Sequence, residues 1–410
     1  MKLVKLSLAA IVAAGALTSV ASAASLEEAI KNVDVTGYAR YRFDSKDSGT
    51  NTANKHRFTS DVNFKSALDD NFFGVLGFRY DSIDNSGERF QAETMVGVDD
   101  QGNDSFGQTF NVRQVYLGYT AGNTTITAGR QVLGTFFTDD MVGTGIKLLN
   151  SDISGLTLAA IAFDNLQDDD DIGTGALTLG SNNAEHVYDR NLYGAAAIGS
   201  YDPVSFQLWY AALDSVAQLY AADVTLGASL GDVDLSLQAQ AAGSSMWADN
   251  AGVYAGIDAM GNSLVDTVAL DDATFLAVEL GAKAFGFDGS VGYVNLNIQG
   301  DGYSLISFED QGSFITAGED LLDYTAFNYD ANIYFVTAGY TFADKVRVGA
   351  DYVGVRANGE GDHVDAYEAV ARVDYKYSKK LNFKAWYSYI DQDNGENDAK
   401  HLRFEARYNF

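Results

Sequence analysis

Four histidines, His56, His186, His363 and His401, are the first places to look for acid–base or metal chemistry. None stands at a spacing that would pair it with a second ligand, or with a serine to make a nucleophile. The chain has no cysteine, so thiolate catalysis, zinc–thiolate sites and disulfides are excluded. Gly173-Thr-Gly175 lies in an acidic stretch rather than between a strand and a helix, so it does not read as a phosphate cradle. The run Asp168-Asp-Asp-Asp171 reads as a solvated loop face, or functionally as a weak divalent-ion bridge or cation-attracting vestibule. What remains is fixed charge at alternate positions: Arg40 and Arg42, Arg57 and Lys65, Arg79, then Arg372, Lys384, Arg403 and Arg407. Side chains arranged in this way sort ions and do not make or break bonds. The sequence therefore points away from an enzyme and requires no cofactor.

The elements that carry these charges must be strands. The 410 residues include 41 Gly, 24 Tyr, 24 Phe and a single Pro, a mixture suited to long strands joined by turns. Lys and Arg total 27 against 56 Asp and Glu, a net charge of −29, which argues against nucleic acid as a partner. Residues 1–23 read as a secretory signal peptide: Lys2 and Lys5, an apolar run from Leu6 to Leu17, then Ala21-Ser22-Ala23. A short helix-like stretch, Leu26–Asn32, follows.

From Val33 onward the period is two. Val33, Val35, Ala39, Tyr41 and Phe43 oppose Asp34, Thr36, Arg40 and Arg42. The same split closes the chain, with Leu402, Phe404, Tyr408 and Phe410 opposed to Arg403, Glu405 and Arg407. Counting such runs predicts about 18 strands. Tight turns, such as 68–71, 121–123, 231–232 and 378–380, alternate with mostly longer polar connections such as 84–108, 165–190, 244–273 and 299–330. The fold class is all-β: a transmembrane antiparallel barrel with short periplasmic turns and long extracellular loops, in the bacterial outer membrane. A soluble sandwich or solenoid is the competing architecture. A barrel of this width is too wide for side chains to fill, so its charged face lines water and its apolar face meets lipid. The first three and last three strands are neighbours when the barrel closes, and together they form a basic wall. Ordinary salt bridging with Asp61, Asp374 and Glu405 is the alternative to a selectivity role for that wall.

Several segments resemble the major outer membrane porins of Campylobacter and relatives. They include Met1-Lys-Leu-Val-Lys-Leu-Ser-Leu, Leu26-Glu-Glu-Ala-Ile-Lys31, Val142-Gly-Thr-Gly-Ile-Lys147, Asn191-Leu-Tyr-Gly-Ala-Ala-Ala197, Val346-Arg-Val-Gly-Ala-Asp351 and Glu368-Ala-Val-Ala-Arg-Val-Asp-Tyr-Lys-Tyr377. The resemblance runs from end to end, departing in the loops 165–190, 244–273 and 299–330. It implies a homotrimeric general diffusion porin spanning 24–410, with a constriction loop around 132–147. That loop carries Phe136-Phe137 and then Asp139 and Asp140, the acidic side of a transverse field facing the basic wall. Arg130 joins the constriction set through Gly129-Arg-Gln131, which resembles the family; the periodicity does not assign a face to Arg113 or Arg130. Asp139, Asp164 and Glu309 lie in matching stretches and are implied Ca²⁺ ligands near the constriction; the facing arginines alone could also neutralise them. The C-terminal Phe410 resembles the closing residue that the barrel-assembly machinery reads, and lipopolysaccharide is the implied neighbour outside. The expected activity is passive, weakly cation-selective passage of ions and small hydrophilic solutes. The alternative is an adhesin or structural barrel without an open channel, which would need a plug, yet only about ten residues precede the first strand of the expected barrel.

Overall fold

The computed structural model describes residues 33–47, 52–86, 106–167, 171–172, 177–179, 185–247, 251–257, 263–300, 302–306, 313–316, 318–321, 327–358, 363–392 and 398–410. The signal peptide, the helix-like Leu26–Asn32 and Glu309 fall outside them. In chain order the strands are β1 Asp34–Asp47, β2 Thr52–Asp69, β3 Phe72–Ser86, β4 Phe106–Ala121, β5 Thr124–Val132, β6 Val142–Asn150 and β7 Leu156–Leu166. Next come β8 Leu177–Leu179, β9 Glu185–His186, β10 Leu192–Tyr201, β11 Val204–Leu213, β12 Ala217–Leu230, β13 Val233–Met246, β14 Ala251–Ile257 and β15 Ser263–Ala269. The chain ends with β16 Ala273–Ala284, β17 Phe287–Ile298, β18 Asp330–Phe342, β19 Val346–Asn358, β20 His363–Lys376, β21 Leu381–Gln392 and β22 Ala399–Asn409.

Eighteen of these form one antiparallel sheet closed by pairing of β1 with β22. Closure satisfies every edge, the requirement for backbone crossing a membrane. The last residue takes part: Phe410 exchanges backbone hydrogen bonds with Gly37, at 3.0 and 3.1 Å. Strands β8, β9, β14 and β15 form a separate four-stranded sheet from the connections after β7 and β13.

The pleat sends alternate residues to opposite faces, so the apolar positions point outward. Val35, Leu76, Leu117, Leu280, Val348 and Leu402 are all exposed. Rings gather at the periplasmic ends, where Phe72 meets Tyr119 at 4.8 Å and Phe287 meets Tyr340 at 4.6 Å. These are the interfacial girdles of an outer-membrane barrel.

The inner face divides in two. From β1 to β4 and from β19 to β22 it is charged. From β6 to β18 it is largely apolar, with Leu149, Ile161, Phe163, Leu192, Trp209, Leu219, Phe275, Leu296 and Ile333 all buried. Two stretches of chain fold onto that apolar half. The first is 133–141, whose Leu133, Phe136, Phe137 and Met141 are completely or almost completely buried. It is shorter than the expected 132–147, because Val142–Lys147 already pairs with β5 and β7 as strand β6. The second includes residues 313–316 and 318–321. Its Ser313 N–H donates to the Phe136 carbonyl at 3.0 Å, and Phe314 packs edge-on against Phe136 (4.7 Å) and Phe275 (5.0 Å). Apolar side chains thus pull both segments against one wall and leave the charged wall beside water.

Candidate functional site

Register places the basic wall row by row. Arg40 stands opposite Arg407 and Thr59, while Arg42 stands opposite Glu405 and Arg57. Asp44 stands between Arg403 and Lys55, and Trp386 faces Arg403 from β21. Most of these cations are matched. Arg42 pairs with Glu405 at 2.9 Å, Arg57 with Asp81 at 2.5 Å, and Arg79 with Asp61 at 3.1 Å. Arg403 bonds Asp44 and lies over the Trp386 ring, 4.9 Å from its centroid. Arg372 pairs with Asp351, and Arg347 pairs with Asp288 at 2.6 Å and reaches Asp374 at 3.8 Å. Arg40 and Arg407 hold no carboxylate among the described residues: Arg40 makes one long hydrogen bond to Thr59, at 3.4 Å, with its Nε buried without a partner, and Arg407 bonds Asn409 at 3.0 Å and lies over the Tyr38 ring. Lys384 is exposed on the same face. Lys65 lies at the periplasmic end of β2, its ammonium 4.4 Å from the centre of the Phe73 ring. It is four residues along the strand from Asp61, about 14 Å at the usual strand rise, and so below the level where the first segment docks.

The two infolded segments meet this wall at its two flanks. From the first, Asp140 reaches Arg79 at 2.6 Å and Arg113 at 3.0 Å. Asp140 therefore does not face the arginines across an open gap, as the transverse-field expectation required. The segment leaves β5, next to β4, and its acid closes directly onto the adjoining strands. Burial alone would push the Asp140 carboxyl up, but the guanidiniums of Arg113 and Arg79 outweigh it and hold it below the usual carboxylate range. Asp139 is exposed, and its backbone N–H donates to Asp171 Oδ2 at 3.0 Å.

The second segment crosses from the apolar wall to the charged one. Gln240 of β13 holds it at Ser313 and Ile315, with hydrogen bonds of 2.7 and 2.8 Å. At the far side the buried carboxylate of Glu368 on β20 accepts the backbone N–H groups of Glu319, Asp320 and Leu321, at 3.1 to 3.2 Å, as well as the Ser388 hydroxyl. A glycine is required at 318: a Cβ there would lie 2.1 Å from Glu368 Oε2, and its φ is +78°. Glu319 then pairs with Arg372 at 2.7 Å. Asp320 takes Lys46 at 3.1 Å and His401 Nδ1 at 2.5 Å, and the other ring nitrogen of His401 faces Asp44 at 2.8 Å.

These contacts separate the two loop acids in their titration. Burial pushes the Glu319 carboxyl up, and the neighbouring Arg372 does not fully offset it. Asp320 is buried too, but its bonds to His401 and Lys46 hold it down. As pH falls, Glu319 is expected to protonate above the usual glutamate range, while Asp140 and Asp320 stay charged to below the usual aspartate range. The stability those two aspartates contribute is present above the unfolded-state pKa and is lost only as pH falls through their depressed values. Reversal potentials measured on stepwise acidification should show an early loss of cation preference, absent in Glu319→Gln. An identical titration in the variant would assign the step elsewhere.

Arg130 does not belong to the lumen. It pairs in register with Val115, an exposed outward residue of β4, whereas its neighbour Gln131 turns inward and bonds Thr127 Oγ1 at 2.6 Å. The strand period puts Arg130 on the outer face. Of the implied Ca²⁺ ligands, Glu309 lies outside the described residues. Asp164 is the exposed extra residue at a bulge in β7, and no three Asp, Glu or His side chains group to hold a metal among the described residues.

Sequence reasoning overlooked Glu319, Asp320 and Glu368. His401 and Asp44 share the charged parity of their strands with Arg403 and Arg42, so period two could have found them. Nothing local marks Glu319 or Asp320, whose roles arise where a long connection lands.

A closed 18-stranded antiparallel barrel with tight turns at one end, a wet charged wall and infolded segments narrowing its lumen defines an outer-membrane porin. The chain belongs to the Campylobacter major outer membrane protein family, whose description matches residues 1–410. It is accordingly a passive diffusion porin of the outer membrane, and both family and fold are those of a non-enzymatic channel. Among solved structures it is similar to OccK8 (OprE) of Pseudomonas aeruginosa, with a TM-score of 0.69 at 14% identity over 93% of this chain and 98% of that one. It is also similar to OccAB4 of Acinetobacter baumannii, with a TM-score of 0.68 at 10% identity over 92% and 98%. The Pseudomonas aeruginosa OpdK structure with vanillate gives 0.66 at 12% identity over 93% and 99%. At such identities the likeness is one of fold. No curated protein matches the chain significantly.

Proposed function

We propose that this porin passes small hydrophilic solutes with a weak preference for cations. The observation that carries the reading is that six arginines of the charged wall are neutralised by carboxylates. Arg42, Arg57, Arg79, Arg113, Arg372 and Arg403 each hold a carboxylate, and the infolded segments supply Asp140, Glu319 and Asp320. With those arginines neutralised, the net charge of −29 decides which ion is concentrated at the mouth. The preference weakens with salt, since exposed charges are screened beyond about 10 Å at 0.1 M. Reversal potentials in a KCl gradient across a planar bilayer test this; anion preference at low salt would overturn it. The protein works as a homotrimer in contact with lipopolysaccharide, a reading that rests on the family. Phe410, paired onto β1 at the seam, is the residue offered to the barrel-assembly machinery.

A further inference from the structure

The outer face of β5, β6 and β7 differs from that of the strands flanking it, β4 and β10, in two independent ways; β13 and β16 also lack outward rings, but no charged residue faces outward at mid-depth there. The first is charge. Register sets Val115, Arg130, Thr144 and Asn165 side by side on β4 to β7, with Asp164 bulged next to Asn165. The row below it is Leu117, Ala128, Ile146 and Ala162, and the one below that is Tyr119, Ile126, Leu148 and Ala160. Ile126, opposite Tyr119, marks the periplasmic girdle. Four strand residues at about 3.4 Å each, tilted about 45°, lift Arg130 about 10 Å above it. An apolar band about 25 Å tall then places the guanidinium near mid-depth. Arg130 forms no hydrogen bond or ion pair among the described residues, and neither does the exposed Asp164. A bare arginine facing lipid at that depth is unfavourable, and lipid phosphates lie too far away to pair with it.

The second difference is the girdles. Rings stud the outer face on both flanks, with Tyr119 on β4 and Tyr193 and Tyr201 on β10. Across β5, β6 and β7 there are none: the one aromatic residue in these three strands, Phe163, is buried inside. Strands that lack interfacial anchors and carry charge at mid-depth are not built to face lipid.

We propose that the outer face of β5–β7 is the contact surface with a second copy of this chain, in which Arg130 pairs with Asp164 of the neighbour. The patch carries its cation on the β5 flank and its anion on the β7 flank. A rotated copy therefore presents the complementary charge, and repetition of that contact closes a ring. Ala128, Ala160 and Ala162 keep the surface between them flat. This inference rests on the oligomeric reading above and adds to it the face and the ion pair.

The test uses the full-length protein, which has no cysteine of its own. A nitroxide is attached at Ile146→Cys, or at Leu280→Cys on an outer face elsewhere, and collisions with oxygen are measured in membranes. Oxygen access at 146 should be several-fold lower than at 280. In detergent, Arg130→Gln and Asp164→Asn should each lower the temperature at which the oligomer dissociates, and exchanging the two charges, Arg130→Asp with Asp164→Arg, should restore it. If the oligomer persists while 146 is as accessible as 280, or if Arg130→Leu raises the dissociation temperature as relief from lipid would, the assignment is wrong. A wild-type protein that is monomeric in the membrane would overturn the oligomeric reading itself.

Discussion

Replacing Asp140 by Asn is expected to turn the pore towards anions. Its two carboxylate oxygens are divided between Arg79 and Arg113, at 2.6 and 3.0 Å. An amide keeps one acceptor oxygen but directs its NH₂ at the other guanidinium, so the wall gains a net positive charge. For a permeant ion about 6 Å away in bulk-like water, one unit charge is worth about 0.7 kcal/mol. That disfavours a cation roughly threefold and favours an anion by as much, so the permeability ratio should fall between about threefold and tenfold at low salt. Loss of the charge-assisted bonds should also lower stability by about 1–2 kcal/mol. Asp139→Asn makes the same formal change at an exposed side chain and should cost less on both counts. The sequence groups Asp139 and Asp140 as one acidic pair, whereas the ion pairs to Arg79 and Arg113 single out Asp140. Reversal potentials and thermal unfolding of the two single variants decide; equal behaviour would mean that the ion pairs to Asp140 do not set the field.

Replacing Glu368 by Ala is expected to release the second infolded segment. Glu368 is fully buried and gathers three consecutive backbone N–H groups and one hydroxyl. Truncation leaves those donors without an acceptor, at a cost of about 3–5 kcal/mol. Glu319 and Asp320 would then lose their seats against Arg372 and His401, and the chain crossing the lumen would be tethered mainly through Gln240 and Phe314. Single-channel conductance should rise and its steps should become noisy, because the obstruction moves. Glu368→Gln, which keeps the volume and one acceptor, should fall between Ala and wild type. Unaltered conductance in both variants would show that residues 318–321 do not narrow the pore.

The barrel itself could be read from the sequence. Period two is a local property of the backbone, and a strand that must present lipid on one side and water on the other writes that alternation into each residue. Starts predicted near 33, 72, 123, 233 and 364 lie within a residue or two of the observed strands, since turn chemistry marks the boundaries. The same parity placed Arg40, Arg42, Arg57, Arg79, Arg372 and Arg403 on one wall. Only the tertiary structure decided what narrows that wall. Residues 299–330 carry no periodicity that separates an extracellular loop from one folded inward. The course of 313–316 and 318–321 depends on Phe314 finding Phe136 and Phe275, and on Glu319 finding Arg372, contacts between residues far apart in the chain. The inward apolar half was likewise hidden. Runs such as Leu208-Trp-Tyr-Ala-Ala-Leu213 are apolar on both faces, and only the packing of a distant segment gives the inner face a reason to be so. Arg130 shows the limit most clearly: a glycine precedes it and a bulge lies in the adjoining strand, so counting parity along one strand could not assign its face. Pairing with Val115 across the sheet did, because register is set by two strands and not by one.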